Sequence, residues 1–97
     1  MKIELLYFSN CPHWKPALLS LKQILTKENI SESVDLIEIE SEVMAEEHSF
    51  PGSPTIRING RDIEGKQDVF GFQCRFYEGG EGTPSETLIK NAILKYK

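Results

Sequence analysis

The sequence contains little cysteine: among its 97 residues only Cys11 and Cys74 carry a thiol, and they lie far apart in the chain. Two thiols are too few for the disulfide framework of a small secreted domain, and too few for a four-cysteine zinc site. The two cysteines therefore either form a redox pair or are unrelated.

Long apolar runs and an excess of positive charge are also missing from the sequence. No segment approaches the roughly 20 apolar residues that cross a bilayer. The apolar run over residues 2–8 is too short for a signal-peptide core, contains Glu4 and has no small-residue cleavage site. Lysine and arginine number 11 against 15 acidic residues, which argues against a nucleic-acid or membrane partner. We therefore expect a cytoplasmic protein.

The composition is that of an ordinary globular domain. Hydrophobic residues make up 39% of the chain and charged residues 27%, which suits a soluble protein with a core of modest size. The length predicts one domain over residues 1–97. We expect an α/β fold with the element order βαβαββα, in which helices flank a four-stranded mixed sheet. The oligomeric state is not predicted.

The first half of the chain predicts a parallel βαβ unit and a short helix. Residues 2–8 are nearly all apolar, as in a strand buried on both faces. Apolar residues at helical spacing from Trp14 onward predict a helix that ends near Asn29. Residues 33–40 predict a half-buried strand, which a right-handed crossover makes parallel to the first. Ser41 can cap a short acidic helix after it.

The second half begins with an antiparallel hairpin over residues 55–64. Its turn is Asn59-Gly60, a pair favoured because both turn residues must adopt positive φ. Residues 65–82 hold five of the seven glycines and show no periodicity, so they predict a long loop, with one helical turn near Cys74.

Thr83, Pro84 and Glu86 predict the start of the final helix. Thr83 is the expected N-cap, Pro84 the first helical residue and Glu86 the reciprocal partner in a capping box. The residues expected on the buried face of this helix are Leu88, Ile89, Ala92, Ile93 and Tyr96.

Two segments carry a family resemblance. Residues 7–14, Tyr-Phe-Ser-Asn-Cys-Pro-His-Trp, connect the first strand to the first helix, and residues 52–55, Gly-Ser-Pro-Thr, lead into the hairpin. With these segments the chain resembles the thioredoxin/glutaredoxin superfamily over nearly its whole length. More narrowly, it resembles small prokaryotic thioredoxin-like proteins of poorly defined activity, which share a later Cys-Arg-x-Tyr element, here residues 74–77. The resemblance implies that Cys11 is the nucleophile and that Pro54 is a cis-proline facing it.

The chain departs from the family pattern next to Cys11. The two-cysteine motif of the family places a resolving cysteine three positions after the nucleophile, where this chain has Trp14. The ordinary dithiol cycle within that motif therefore cannot operate. The Cys-Gly-Phe-Ser loop of monothiol iron–sulfur glutaredoxins is also missing, so that function is not transferred and no cofactor is expected. Resolution of a mixed disulfide on Cys11 therefore depends on Cys74 or on an external thiol.

Thiol–disulfide exchange is the reaction that these residues favour. A thiolate is the reactive form, and a position at a helix N-terminus stabilises it through backbone N–H groups and the helix dipole. Cys11 holds such a position if the helix begins near Pro12, but a helix beginning at Pro16 leaves it a turn too early. Cys74 is the candidate resolving thiol if the long loop folds back toward Cys11, and otherwise it is simply a buried residue.

The predicted partner is a protein or small-molecule disulfide or thiol. If the bond before Pro54 is cis, the Ser53 backbone faces the thiol and can pair with an extended substrate segment. Pro12 and Trp14 are the other candidate substrate-binding residues, although Trp14 also suits packing of the helix against the sheet.

Two other classes of function stay open. Two thiols brought together can hold a soft metal ion such as mercury, copper(I) or zinc, with His13 as a further candidate ligand. The domain can also be an interaction module without chemistry. No resident metal is predicted for the redox function.

Overall fold

The structure is a computed structural model that describes residues 1–66, 69–77 and 80–97. Its helices and strands are β1 (Ile3–Tyr7), α1 (Trp14–Lys27), β2 (Val34–Glu38), α2 (Glu42–Glu47), β3 (Thr55–Ile58), β4 (Arg61–Asp62) and α3 (Glu86–Tyr96). The prediction of a mixed α/β fold with a four-stranded mixed sheet is confirmed. Among the helices of the described ranges, none is long and apolar enough to cross a membrane.

The sheet has the strand order β2-β1-β3-β4, with β1 at its centre. β1 runs parallel to β2 and antiparallel to β3, and β4 is antiparallel to β3. Leu5 lies opposite Leu36 on one side and Ile56 on the other. This central position explains the nearly continuous apolar sequence of β1, because a strand with neighbours on both sides and covered faces buries most of its side chains.

The two faces of the sheet carry separate clusters of buried side chains, because successive residues of a strand point to opposite faces. Leu6 belongs to the smaller cluster, to which α2 contributes Ala45. Leu5 belongs to the larger cluster, to which α1 and α3 contribute. The buried members of the larger cluster are Ile3, Leu5, Ala17, Leu21, Ile24, Leu25, Ile56, Ile58, Ile89 and Ile93.

The end of α1, the hairpin turn and the start of α2 lie where the local sequence predicts them. Asn29 has a φ of 58° directly after the C-cap of α1, and Asn59 and Gly60 have φ values of 52° and 81° in the hairpin turn. The Ser41 hydroxyl caps α2 by accepting a backbone N–H bond of 3.1 Å from the residue three positions later. Pro16 lies in the first turn of α1, where its missing N–H has no helical acceptor to lose.

The predicted start of the final helix is wrong by two residues. Ser85, not Thr83, is the N-cap, and its hydroxyl accepts the Leu88 N–H at 3.1 Å. Pro84 is buried outside the helix rather than occupying its first turn. The physical reason is that burial of Pro84 keeps it in the preceding segment, so the next hydroxyl side chain caps the helix.

The predicted helical turn near Cys74 is also wrong. Cys74 instead forms an isolated parallel β-bridge with Ser53, because the backbone of its neighbours hydrogen-bonds to Ser53. The predicted loop over residues 65–82 includes residues 67, 68, 78 and 79, which lie outside the described residues.

Candidate functional site

Cys11 lies between the end of β1 and the start of α1. Its backbone N–H donates to the Phe8 carbonyl at 3.1 Å, which closes a tight turn after the strand. Its side chain is buried, with 4% of the residue surface exposed. The thiol donates to the Ser53 carbonyl at 3.6 Å, and the sulfur accepts the N–H of His13, the N-cap of α1, at 3.4 Å. The Ser53 carbonyl and the His13 N–H thus fix the position of this sulfur between two backbone groups.

Ser53 connects the thiol to the sheet. It is fully buried two residues before the start of β3, and its hydroxyl accepts the Phe8 N–H at 3.3 Å. The Ser53–Pro54 peptide bond is cis. The Ser53 carbonyl contacts the Cys11 sulfur, so of the predicted substrate-binding residues Ser53 lies against Cys11 and Pro54 is its neighbour in the chain.

Cys74 reaches the same place from the long loop. The Ser53 N–H donates to the Gln73 carbonyl and the Arg75 N–H donates to the Ser53 carbonyl, both at 2.9 Å. These two bonds form a parallel bridge that places Cys74 beside Ser53. The structure thus brings together the two cysteines that sequence alone could not connect. The same two hydrogen bonds occupy the backbone N–H and carbonyl of Ser53, which were predicted to pair with a substrate strand.

The two thiols interact electrostatically. Burial raises the pKa of the Cys74 thiol above its ordinary value, and the charge and side-chain hydrogen bonding of Cys11 raise it further. Both cysteines are free thiols in the structure. Because a negative charge on one sulfur disfavours a second one on its neighbour, the pair holds one negative charge more readily than two.

Arg75 anchors the segment that carries Cys74. Its guanidinium donates to the two carboxylate oxygens of Asp62 at 2.6 and 2.8 Å, and also reaches Thr55 Oγ1 at 3.1 Å and Glu64 at 3.3 Å. Burial alone would lower the pKa of Arg75, but hydrogen bonding to Asp62 and the neighbouring charges raise it. The guanidinium therefore stays charged while almost fully buried.

Tyr77 gives the segment a second attachment. Its hydroxyl donates to the Pro54 carbonyl at 2.5 Å, and the Arg75 guanidinium lies 4.2 Å from the centre of its ring. Burial raises the pKa of Tyr77 well above its ordinary value, so the hydroxyl remains a donor at neutral pH. The Cys-Arg-x-Tyr element thus places one thiol at the site and holds it there through the two other side chains.

Gly52 allows this close approach. Its φ is 137°, and a Cβ at this position would lie 2.8 Å from the Cβ of Arg75 and 3.0 Å from the carbonyl oxygen of Gln73. A side chain here would push the Cys74 segment away from Ser53. The glycine is therefore required both by its backbone conformation and by the neighbouring strand.

The remaining predicted residues lie around Cys11. Trp14 stacks on Tyr7, with ring centres 4.1 Å apart, and packs against the larger core cluster. Pro12 is exposed on the turn. The ring of His13 lies next to Gly82, where a Cβ would come within 2.5 Å of it. Within the described ranges, no three histidine, cysteine or acidic side chains cluster into a metal site.

Sequence reasoning missed four residues that build the site: Gly52, Asp62, Arg75 and Tyr77. In the sequence the Cys-Arg-x-Tyr element is only a pattern, which assigns no physical role to its arginine or tyrosine. One signal could have predicted the ion pair: a lone arginine lies within an otherwise apolar and glycine-rich stretch. A buried cation requires an acidic partner.

Comparison of the chain with protein-family models, with curated proteins and with solved structures found no match. The fold and the site by themselves define a mixed α/β domain in which two thiols from distant parts of the chain meet at a cis peptide bond beside the central strand.

Proposed function

We propose that this protein is a thiol–disulfide oxidoreductase-like protein of thioredoxin-like fold, with Cys11 and Cys74 as its reactive thiols. The observation that carries the proposal is the placement of both cysteines beside Ser53, where Cys11 also raises the pKa of Cys74. Two thiols in such contact can close a disulfide and reopen it by exchange with an external partner.

The order of elements around Cys11 supports the thioredoxin-like part of the proposal. β1 is parallel to β2 and antiparallel to β3, and Cys11 follows β1 directly before α1. The cis bond of Pro54 precedes β3 and lies against Cys11. This is the relation between nucleophile and proline that the resemblance to the thioredoxin/glutaredoxin superfamily implies.

In the proposed reaction the two thiols transfer two electrons to an external disulfide, lose their protons and become joined by a sulfur–sulfur bond. Two external thiols reverse the reaction and become joined in an external disulfide. Because the second thiol comes from Cys74, the presence of Trp14 in the family's second cysteine position does not prevent an internal disulfide. A disulfide of this transient kind agrees with the cytoplasmic location that we expect. Pro12, exposed beside Cys11, is proposed to meet the partner.

The test is whether the wild-type protein forms an internal Cys11–Cys74 disulfide reversibly. The protein is equilibrated with mixtures of glutathione and glutathione disulfide, the free thiols are alkylated, and peptides are identified by mass spectrometry. We expect a linked Cys11–Cys74 peptide pair that dithiothreitol converts to two alkylated thiols, and its loss in both Cys11→Ser and Cys74→Ser. Two free thiols at every glutathione ratio would refute the redox function.

A soft-metal carrier is the second candidate, because the same two neighbouring sulfur atoms suit mercury, copper(I) or zinc. It predicts a stable stoichiometric metal complex that is lost in Cys11→Ser and in Cys74→Ser alike. A non-catalytic interaction module predicts neither a reversible disulfide nor a stable metal complex.

A further inference from the structure

The two cysteines differ in how far they are open to solvent. Cys11 has 4% of its surface exposed, and its sulfur lies between the Ser53 carbonyl and the His13 N–H. Cys74 is only partly buried. We infer that an external thiol or disulfide reacts with the sulfur of Cys74 and that Cys11 attacks from inside, an inference that rests on the proposed dithiol function. This order is the reverse of the one that motif position alone favours.

The strand pairing at Ser53 restricts the approach to Cys11. The Ser53 carbonyl next to the Cys11 sulfur already accepts the Arg75 N–H, and the Ser53 N–H is bonded to the Gln73 carbonyl. A partner that approaches along the Ser53 backbone must first displace these residues, and Arg75 is held by its buried ion pair with Asp62. Cys74 is the partly exposed member of the pair, so we expect a partner to reach it without such a rearrangement.

Oxidation then takes place in two exchanges. The Cys74 thiol loses its proton to solvent, and its sulfur attacks one sulfur of the external disulfide, which forms a mixed disulfide on Cys74 and releases the first external thiolate. The Cys11 thiol next loses its proton to solvent and its sulfur attacks the Cys74 sulfur, which breaks the mixed disulfide and releases the second external thiolate. The two external thiolates take up the two protons that the protein released. The products are one internal disulfide and two external thiols, so the external disulfide has accepted two electrons from the protein.

Reduction follows the same path in reverse. An external thiolate attacks the Cys74 sulfur of the internal disulfide, and the Cys11 thiolate is the leaving group. A second external thiolate then attacks the external sulfur of the mixed disulfide, which releases the Cys74 thiolate and an external disulfide, and both protein thiolates take up protons. The N–H of His13, which contacts the Cys11 sulfur at 3.4 Å, stabilises the charge that develops there. A stabilised leaving thiolate accelerates exchange, so the inner position of Cys11 suits this role.

The test compares the two serine variants in reaction with glutathione disulfide at neutral pH, with mass spectrometry following the mixed disulfide over time. Cys11→Ser should accumulate a stable glutathione adduct on Cys74, because the internal attack is missing. Cys74→Ser should form its adduct on Cys11 about tenfold more slowly, because access limits the reactivity of a buried thiol. The same reactions in denaturing urea are the control, where both variants should react at similar rates.

Which cysteine reacts first can also be measured in the wild-type protein, so the test does not require that the serine variants fold. Brief treatment with less than one equivalent of a maleimide reagent should label Cys74 in preference to Cys11, as located by peptide mapping. Preferential labelling of Cys11, or a faster adduct in Cys74→Ser than in Cys11→Ser, would overturn the inference while the internal disulfide still forms. A wild-type protein that forms no internal disulfide would overturn the proposed function and the inference together.

Discussion

Replacing Arg75 with methionine should destabilise the protein by about 3–5 kcal/mol, the usual effect of removing one partner of a buried ion pair. Arg75 is 5% exposed, and its guanidinium donates to both carboxylate oxygens of Asp62, at 2.6 and 2.8 Å. The Asp62 side chain is fully buried. Methionine keeps much of the apolar length of the side chain but removes the positive charge that compensates this carboxylate, so the loss is mainly electrostatic.

The measurement is urea unfolding followed by circular dichroism. With a typical denaturant dependence for a small domain, a loss of this size lowers the midpoint by roughly 2 M urea. Arg75→Lys keeps the charge but not the bidentate geometry. The free energy of unfolding should therefore fall less than in Arg75→Met, by about 1–3 kcal/mol. Arg61→Met removes an exposed arginine of the same hairpin and should stay within about 0.5 kcal/mol of wild type. Equal midpoints for Arg75→Met and Arg61→Met would show that the ion pair does not stabilise the fold.

Two further substitutions test the attachments of the Cys74 segment. Gly52→Ala should cost about 2–4 kcal/mol in thermal unfolding, because it combines a strained φ with a 2.8 Å contact to Arg75. Gly60→Ala, where φ is 81° and nothing lies within 4 Å, should cost only about 1–2 kcal/mol, and equal losses would contradict the steric argument. Tyr77→Phe removes the bond to the Pro54 carbonyl and should cost about 1–2 kcal/mol. Burial raises the pKa of Tyr77 above its unfolded value, so the wild type should lose stability as the pH rises above about 10. Urea midpoints of Tyr77→Phe should fall less over that range, and parallel declines would refute this assignment.

The parts of the fold that sequence predicts well are those with local chemical causes. Asn59 and Gly60 tolerate the positive φ of a tight turn, and Asn29 tolerates the left-handed conformation that ends α1. Ser41 supplies an acceptor to the free N–H groups at the start of α2. Each of these turn and cap conformations depends on a few neighbouring residues, so it can be predicted from the local sequence.

The candidate site was predictable only in part, because its second half depends on contacts between distant residues. Cys11 and Pro54 follow from motif position, but the extended conformation of Cys74 depends on hydrogen bonds to Ser53, some twenty positions earlier. The pairing of Arg75 with Asp62 leaves no periodic signal, since it joins a loop to the end of a hairpin.

The parallel pairing of Ser53 with residues 73–75 makes binding at this position a competition between a tethered strand and a free one. Residues 73–75 belong to the same chain as Ser53, and a tethered segment competes at an effective concentration on the order of millimolar. A free peptide at micromolar concentration that forms the same two backbone bonds is therefore outcompeted roughly a thousandfold. Under the proposed function, this competition would disfavour extended polypeptides beside the Cys11 sulfur relative to small thiols and disulfides that react at Cys74.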